Sequence, residues 1–222
     1  MPANVYNVNM TTDIPQTAPS RPRERYHHGN LAAALIDAGY DLAAEGGPHA
    51  VTIREAARRV GVSPPAAYRH FTDRDEFLGA VAARCRRELA ISMISGRDRH
   101  RAPQRRFEAV GRGYIDFAMR NPHLIDTAFA EIPNEGGPNT IDPGSEDPNA
   151  FMVLVGALDE LAAAGLLPPE RRDGAEIVAW SAVHGISLLL ARSAGMRAGA
   201  DEMIARVLDG IVAALGLPPK SR

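Results

Sequence analysis

An all-α fold in two parts is what the sequence predicts, and three observations carry that prediction. Apolar residues return every third or fourth position through nearly all of the chain after residue 20, and no stretch alternates in the manner of a strand. Helix punctuation recurs at element-length intervals: Ser, Thr and Asn at starts, Gly at stops, Pro in first turns. Charge is divided, with 16 Arg against 10 Asp and Glu over residues 21–106, and 9 Lys and Arg against 16 Asp and Glu over 107–222. The expected arrangement is an N-terminal three-helix helix-turn-helix domain at 21–80 and a C-terminal helical bundle at 81–217. A disordered tail at 1–20 and a short tail at 218–222 flank them.

Each element has its own warrant. Residues 1–20 are rich in Asn, Thr and Pro and poor in large apolar groups, so they are expected to be disordered. They show no basic segment followed by an apolar one, hence no secretory signal. No run approaches the roughly 18 apolar residues of a membrane helix. The single Cys85 cannot form an internal disulfide, which fits a reducing cytoplasm. Leu31, Leu35, Ala38 and Leu42 mark a first helix with Asn30 as its cap and Gly46-Gly47-Pro48 as its stop. Thr52 and Glu55 form a capping-box pattern, and the helix they open carries Ile53, Ala56, Ala57 and Val60 inward before Gly61. Ser63 opens the next helix, with Pro64 expected at its boundary and Pro65 as its first residue. Thr72 to Asp75 opens another, running to about Ser95 and the basic link GRDRHRAP.

The back half continues as helix. Pro103 to Arg120 carries Phe107, Val110, Tyr114 and Phe117 on one side, and Asn121-Pro122 reads as a cap followed by a first-turn proline. Glu131 to Pro148 breaks the pattern with Pro, Gly and acidic residues and reads as a mobile loop, a candidate lid. Helices then resume at about Asn149–Ala164, Pro169–Ala194 and Ala200–Leu215.

Two short helices joined by Gly61-Val62-Ser63 form a helix-turn-helix candidate, whose second helix would enter a DNA major groove. The run TIREAARRVGVSPPAAYRHFTDRDEFL, preceded by YHHGNLAAALIDAGYDLAAEGG, resembles the DNA-binding domain of the tetracycline-repressor (TetR) family of bacterial transcription regulators. The likeness covers about Tyr26 to Leu78. A second, weaker likeness is WSAVHGISLLL, Trp180 to Leu190, which is similar to the Trp-x-x-x-His-Gly signature of the regulatory domain in one branch of that family.

The resemblance implies a set of DNA contacts. Thr52 would touch a phosphate, Tyr68 and His70 match positions that grip the backbone, and Arg74 stands where the family commonly has Lys. Arg54 and Arg69 are cationic neighbours, and Arg21, Arg23 and Arg25 form a basic arm toward the adjoining groove. Ser63, Pro64, Pro65 and Ala66 occupy the tip that meets the groove first; the prolines offer it only stiff apolar surface. Plain alternatives stand beside these roles: Phe71 is core, Tyr68 is half core, and the arginines also fit a solvated face. His27 and His28 are adjacent and diverge around a helix start, so no metal site and no cofactor is expected.

For the back half, EIVAWSAVHGISLLLA at 176–191 is apolar nearly all round, which implies burial on every side, by its own domain and by a second subunit. Val183, Ile186 and Leu190, with Ile204, Leu208 and Ile211 of the last helix, are the expected homodimer seam. Phe107, Tyr114, Phe117, Met152, Trp180 and His184 are the candidate lining of an effector pocket, although the same residues fit ordinary core packing. Asp126, Glu131 and Asp159 would bias such a site toward cations, or simply form a solvated face. The expected function is a DNA-binding repressor released by a small molecule. The alternatives are an activator, and an enzyme or carrier with an inert helix-turn-helix; no nucleophile elbow, P-loop or metal motif favours catalysis.

Overall fold

The computed structural model describes residues 31–133 and 148–219. Ten α-helices and two 3-10 turns make up those residues, with no strand among them. The front half holds α1 (Leu31–Gly46), a 3-10 turn at Pro48–Ala50, α2 (Ile53–Val60), α3 (Pro64–Ala67) and α4 (Arg74–Arg97). The rest comprises α5 (Pro103–Arg120), α6 (Pro122–Ala128), α7 (Ala150–Ala163), a 3-10 turn at Pro169–Arg171, α8 (Ala175–Arg192), α9 (Ala194–Arg197) and α10 (Ala200–Ala214). The expected Asn30 cap, the arm of Arg21, Arg23 and Arg25, the His27-His28 pair, both tails in the main and most of the Glu131 to Pro148 loop lie outside the described residues.

Local chemistry moves several expected boundaries. Asp73, not Thr72, caps α4: its Oδ1 accepts from the Glu76 N–H at 2.9 Å, and the Glu76 carboxylate accepts from the Thr72 N–H and hydroxyl at 2.6 and 2.7 Å. The capping box is therefore present one residue later than its Thr suggests. Ser63 does not cap α3 through its side chain. Two prolines remove the first N–H groups, and the first one left, on Ala66, bonds the Ser63 carbonyl at 2.9 Å. Pro64 itself is the first helical residue, with Ser63 extended before it. Asn121 serves both helices: its Nδ2 donates to the Phe117 carbonyl at 3.0 Å at the end of α5, and its own carbonyl accepts from the Leu124 and Ile125 N–H groups at the start of α6, with Pro122 in the first turn. The helix expected from Pro169 begins only at Ala175, after Gly174 in the left-handed region at φ 73.

The molecule is organised around α4. Phe77, Leu78, Val81 and Ala82 bury its first half against α1, while Leu89, Ala90 and Met93 bury its second half in the body. Positions 80 and 81, the expected domain boundary, fall inside this one helix. Two glycines allow α5 to lie almost backbone to backbone against it. A Cβ on Gly113 would sit 2.8 Å from the Ser92 carbonyl oxygen, and one on Gly96 would sit 2.9 Å from that of Ala109. The Ser92 hydroxyl donates to the Gly113 carbonyl at 3.0 Å across the same contact.

Helix α8 is, by length and composition, apolar enough to cross a membrane, contrary to the reading that no run comes close. Its packing explains the composition: Ala175, Ala179, Val183, Ile186, Leu190 and Ala191 are buried against the body, which includes α5, α7 and α10.

The tight α4–α5 contact makes a paired prediction. Gly113→Ala forces a methyl against backbone that cannot give way, and should destabilise by about 1–3 kcal/mol in urea unfolding. Gly156→Ala in α7, where an added Cβ meets nothing within 4 Å, should be neutral or stabilising by up to about 1 kcal/mol. Equal effects at the two sites would refute the close-packing account.

Candidate functional site

Two features stand out, an exposed tip in the front half and a cluster of rings within the body. At the front, Thr52 is extended and its Oγ1 accepts from the Glu55 N–H at 3.3 Å, fixing the start of α2. Gly61 ends α2 in the left-handed region (φ 79, ψ 28), and its N–H and that of Val62 both return to the Ala57 carbonyl. Nothing lies within 4 Å of a Cβ built there, so the backbone angle alone demands glycine. Helix α3 is a single turn. Ala67 is buried beneath it, and Phe71 packs on Phe77 with ring centroids 4.9 Å apart, which holds the segment down. What remains outside is one continuous tip: Ser63, Pro64 and Pro65, then Tyr68 (43% exposed), Arg69 and His70, with Ala66 half-buried between them. Tyr68, Arg69 and His70 thus lie in the turn that follows α3, not within a longer recognition helix.

The charges at this end are not equally available. Arg58 donates twice to Glu55, at 2.7 and 2.8 Å, and holds that carboxyl down to a pKa of about 2. Arg59 pairs with Glu45 at 2.6 Å and also reaches Glu55. Arg74 donates to the Pro48 carbonyl at 2.6 Å and lies 3.8 Å from Asp75, so it ties α4 to the 3-10 turn. Arg54 and Arg69 are exposed and make no such pairs among the described residues, which leaves them as available cations of the tip. Arg25 lies outside the described residues.

Within the body, five rings meet between α5, the end of α6, α7 and α8. Tyr114 packs edge-on to Trp180 at 5.3 Å, Phe151 lies 5.7 Å from Trp180, and Phe129 lies 4.9 Å from His184. The Trp180 and His184 rings are stacked, 6.5 Å apart. The Tyr114 hydroxyl and His184 Nδ1 are 2.7 Å apart. Burial pushes the Tyr114 pKa up, while burial and then the charge of Arg192 push that of His184 down. The adjoining apolar cavity has a volume of only about 20 Å³ and is walled by Phe107, Tyr114, Leu154, Trp180 and Val183 among others.

Of the expected pocket residues, Phe107, Tyr114 and Trp180 line this cavity and His184 joins its ring cluster. Phe117 is buried away from it, and Met152 is 43% exposed and does not line it. Phe129 and Phe151 were missed, since one closes a short helix and the other sits one position off the periodic stripe. The acidic residues are spoken for: Asp126 pairs with Arg192 at 2.8 Å and Asp159 with Arg172 at 2.6 Å, while Glu131 is exposed. Burial also raises the Cys85 thiol to about 12, leaving it protonated and inert.

The residues expected at a homodimer seam are mostly buried within the chain itself. Val183, Ile186, Leu190, Ile204 and Ile211 are closed off inside one protomer, and Leu208 lines its cavity. The apolar groups α8 leaves outside are Ile177, Val178 and Leu189, at 59%, 45% and 54% exposure. A helix that is apolar on all faces does not declare which face its own core takes.

A helix-turn-helix tip carried on an all-α body with an aromatic cluster is the architecture of a helical DNA-binding regulator. Residues 35–81 match the family described as bacterial regulatory proteins, tetR family, and residues 107–211 match the tetracyclin repressor-like C-terminal domain. The chain belongs to the tetracycline-repressor family. An HTH-type transcriptional repressor of Mycobacterium tuberculosis is 40% identical over 67 residues, which is 29% of this chain and 36% of that protein, so the chain matches little more than a third of that relative's length. A protein of unknown function from Rhodococcus sp. RHA1 is 26% identical and aligns over 87% of this chain and all of its own, with a TM-score of 0.68. A tetracycline-repressor variant of Acinetobacter baumannii, solved in complex with minocycline, shares the fold at 16% identity and a TM-score of 0.57, over 86% of this chain and 97% of its own.

The depressed His184 gives a pH prediction. As pH falls, the unfolded chain takes up the imidazole proton near 6.5, before the folded chain does. Stability is therefore lost as pH descends through the unfolded value toward the lower folded one. The thermal midpoint should drop between about pH 7 and 5.5, and His184→Gln should flatten that part of the curve. An unchanged slope in the variant would refute a neutral, buried imidazole.

Proposed function

We propose that this chain is a transcriptional repressor of the cytoplasm that binds a palindromic operator as a homodimer and leaves it when a small molecule enters the ring cluster. The observation that carries this reading is the exposed tip, Ser63 to His70, held by Ala67 and Phe71 and flanked by Arg54, which pairs with no described residue. In this reading residues 21–80 are the head and 81–217 the sensor and dimerisation body. The tip offers apolar proline surface to the groove, and Tyr68, Arg69, His70 and Thr52 supply polar contacts, most of them to phosphates. Arg74 serves first as a brace and second as a phosphate partner.

The second subunit belongs on the face that α8 and α10 leave open. Ile177, Val178 and Leu189 are exposed there, and on α10 Gly210, Ala213 and Ala214 are exposed with Val207 half-buried. Gly185 and Gly210 would meet nothing within 4 Å if given a Cβ. Glycine inside an exposed helix costs about 1 kcal/mol relative to Ala, and close approach of another helix is the natural compensation.

Signal passes along bonded contacts. Phe129 of the ring cluster follows Ala128, whose carbonyl accepts from Arg86 of α4 at 3.0 Å. Toward the head, Arg84 of the same helix pairs with Asp37 of α1 at 2.6 Å and lies over the Tyr40 ring at 5.3 Å. A ligand that shifts Phe129 thus pulls on the helix that carries the head. It lowers operator affinity to the extent that it binds the displaced state better.

Two outcomes test this reading. In a shift assay on the DNA upstream of its own gene, affinity should fall steeply with salt, and Arg69→Ala should reduce the log–log slope by about one. Arg58→Ala, whose guanidinium is already held by Glu55, should change it far less. Gly185→Arg should give a helical monomer by sedimentation and lose most operator binding; a dimer that persists would place the seam elsewhere.

A further inference from the structure

The Tyr114–His184 pair fixes more than the shape of the ring cluster. Tyr114 is 1% exposed, and the phenol stays protonated because burial disfavours its anion. A buried hydroxyl that carries its proton has to donate it, and the acceptor at hand is His184 Nδ1, 2.7 Å away. The imidazole is held neutral by burial and by Arg192, so it owns a single N–H. With Nδ1 accepting, that proton sits on Nε2. Nε2 makes no hydrogen bond to any described residue, although the ring is half-buried and faced by Phe129 and Trp180. The cluster therefore holds one oriented donor among apolar ring faces.

We infer that the effector is a flat, largely apolar, uncharged molecule with an exposed carbonyl or similar oxygen, which accepts a hydrogen bond from His184 Nε2 while its ring lies against Trp180 and Phe129. This rests on the reading of the ring cluster as the effector site. A cation is disfavoured on two counts: the donor at His184 presents a proton, and the Arg192 charge acts on the same ring. Asp126, the acidic neighbour of Arg192, is already paired with it. The adjoining cavity of about 20 Å³ is lined by Tyr114 and Trp180 but not by His184 or Phe129, and it holds no more than a water, so a ring that reaches His184 must open its own space by displacing a wall. Half-buried Trp180 is the wall that can swing, and it is the single tryptophan of the chain.

That single tryptophan makes the test direct. The full-length protein is titrated with acetophenone, ethylbenzene and benzylamine (protonated at neutral pH), and Trp180 emission is followed. The three probes have similar size and differ in offering an acceptor, no polar group, or a cation. Acetophenone should bind about tenfold more tightly than ethylbenzene, and benzylammonium more weakly than either. His184→Phe should keep ethylbenzene binding and abolish the preference for acetophenone, with helix content by circular dichroism reporting that the variant folds. Nitrogen-15 spectra of the wild-type imidazole should show the proton on Nε2.

Equal affinities for acetophenone and ethylbenzene, or an Nδ1–H tautomer, would overturn the acceptor inference and leave the ring cluster standing as a pocket. Tightest binding of benzylammonium would overturn it in favour of a cation cage. No response of Trp180 to any of the three would overturn both the inference and the site. The operator shift assay answers separately for the DNA-binding reading.

Discussion

One long helix runs through the whole of a continuous hydrophobic core, and the rest of the structure is arranged around that constraint. Phe77 and Val81 near the start of α4 press on Gly39 of α1, where an added Cβ would lie 2.8 Å from the Phe77 ring and 2.5 Å from Val81. Ser92 and Met93 farther along press on Gly113 of α5 with the same closeness. A helix of 24 residues spans about 36 Å, so head and body are joined by a rod and not by a linker. Rods transmit rotation and translation; flexible linkers dissipate both. The contact at α5 is stiff because backbone faces backbone there, whereas at α1 it is the Phe77 and Val81 side chains that fill the space over Gly39.

At the head, the same economy of backbone donors explains a recognition segment of one turn. Pro64 and Pro65 have no N–H to satisfy, so the helix starts without a side-chain cap. The turn that follows puts Tyr68, Arg69 and His70 outward, while Ala67 and Phe71 are taken by the core. Alternation between buried and presented groups in so short a stretch is possible because Phe71 is anchored on Phe77, itself on α4. The tip is thereby fastened to the rod at its base.

The helices were legible because their periodicity and punctuation agree. Pro103 to Arg120 was bounded correctly from a first-turn proline and the Phe107, Val110, Tyr114, Phe117 spacing, since both reflect forces local to that helix. What escaped depended on partners distant in sequence. Thr72 looks like a cap, but Asp73 takes that place by accepting from the Glu76 N–H, and Thr72 is held instead by the Glu76 carboxylate. Arg74 reads in sequence as a phosphate contact, and only the fold reveals the Pro48 carbonyl and Asp75 that also hold it. Val183 and Leu190 look like a seam until their own protomer is seen to bury them, and Ile177, Val178 and Leu189 become visible as the face left over. Phe129 and Phe151 carry no periodic signal at all; the ring cluster collects them from two separate segments through tertiary packing.

The ring cluster itself poses an energetic question. A tyrosine hydroxyl and an imidazole in an apolar interior cost more than two phenylalanines would, unless every donor and acceptor finds a partner. Here the accounting closes on one side only: the hydroxyl and Nδ1 satisfy each other, and Nε2 is left at the half-exposed edge. If stability alone had shaped this site, a second apolar ring in place of His184 would serve better. The pair makes sense as a device that fixes a tautomer, because the buried phenol compels the imidazole to present its proton toward the ring faces. Rigidity of the donor then comes from the core, while its vacancy for a partner comes from its place at the edge.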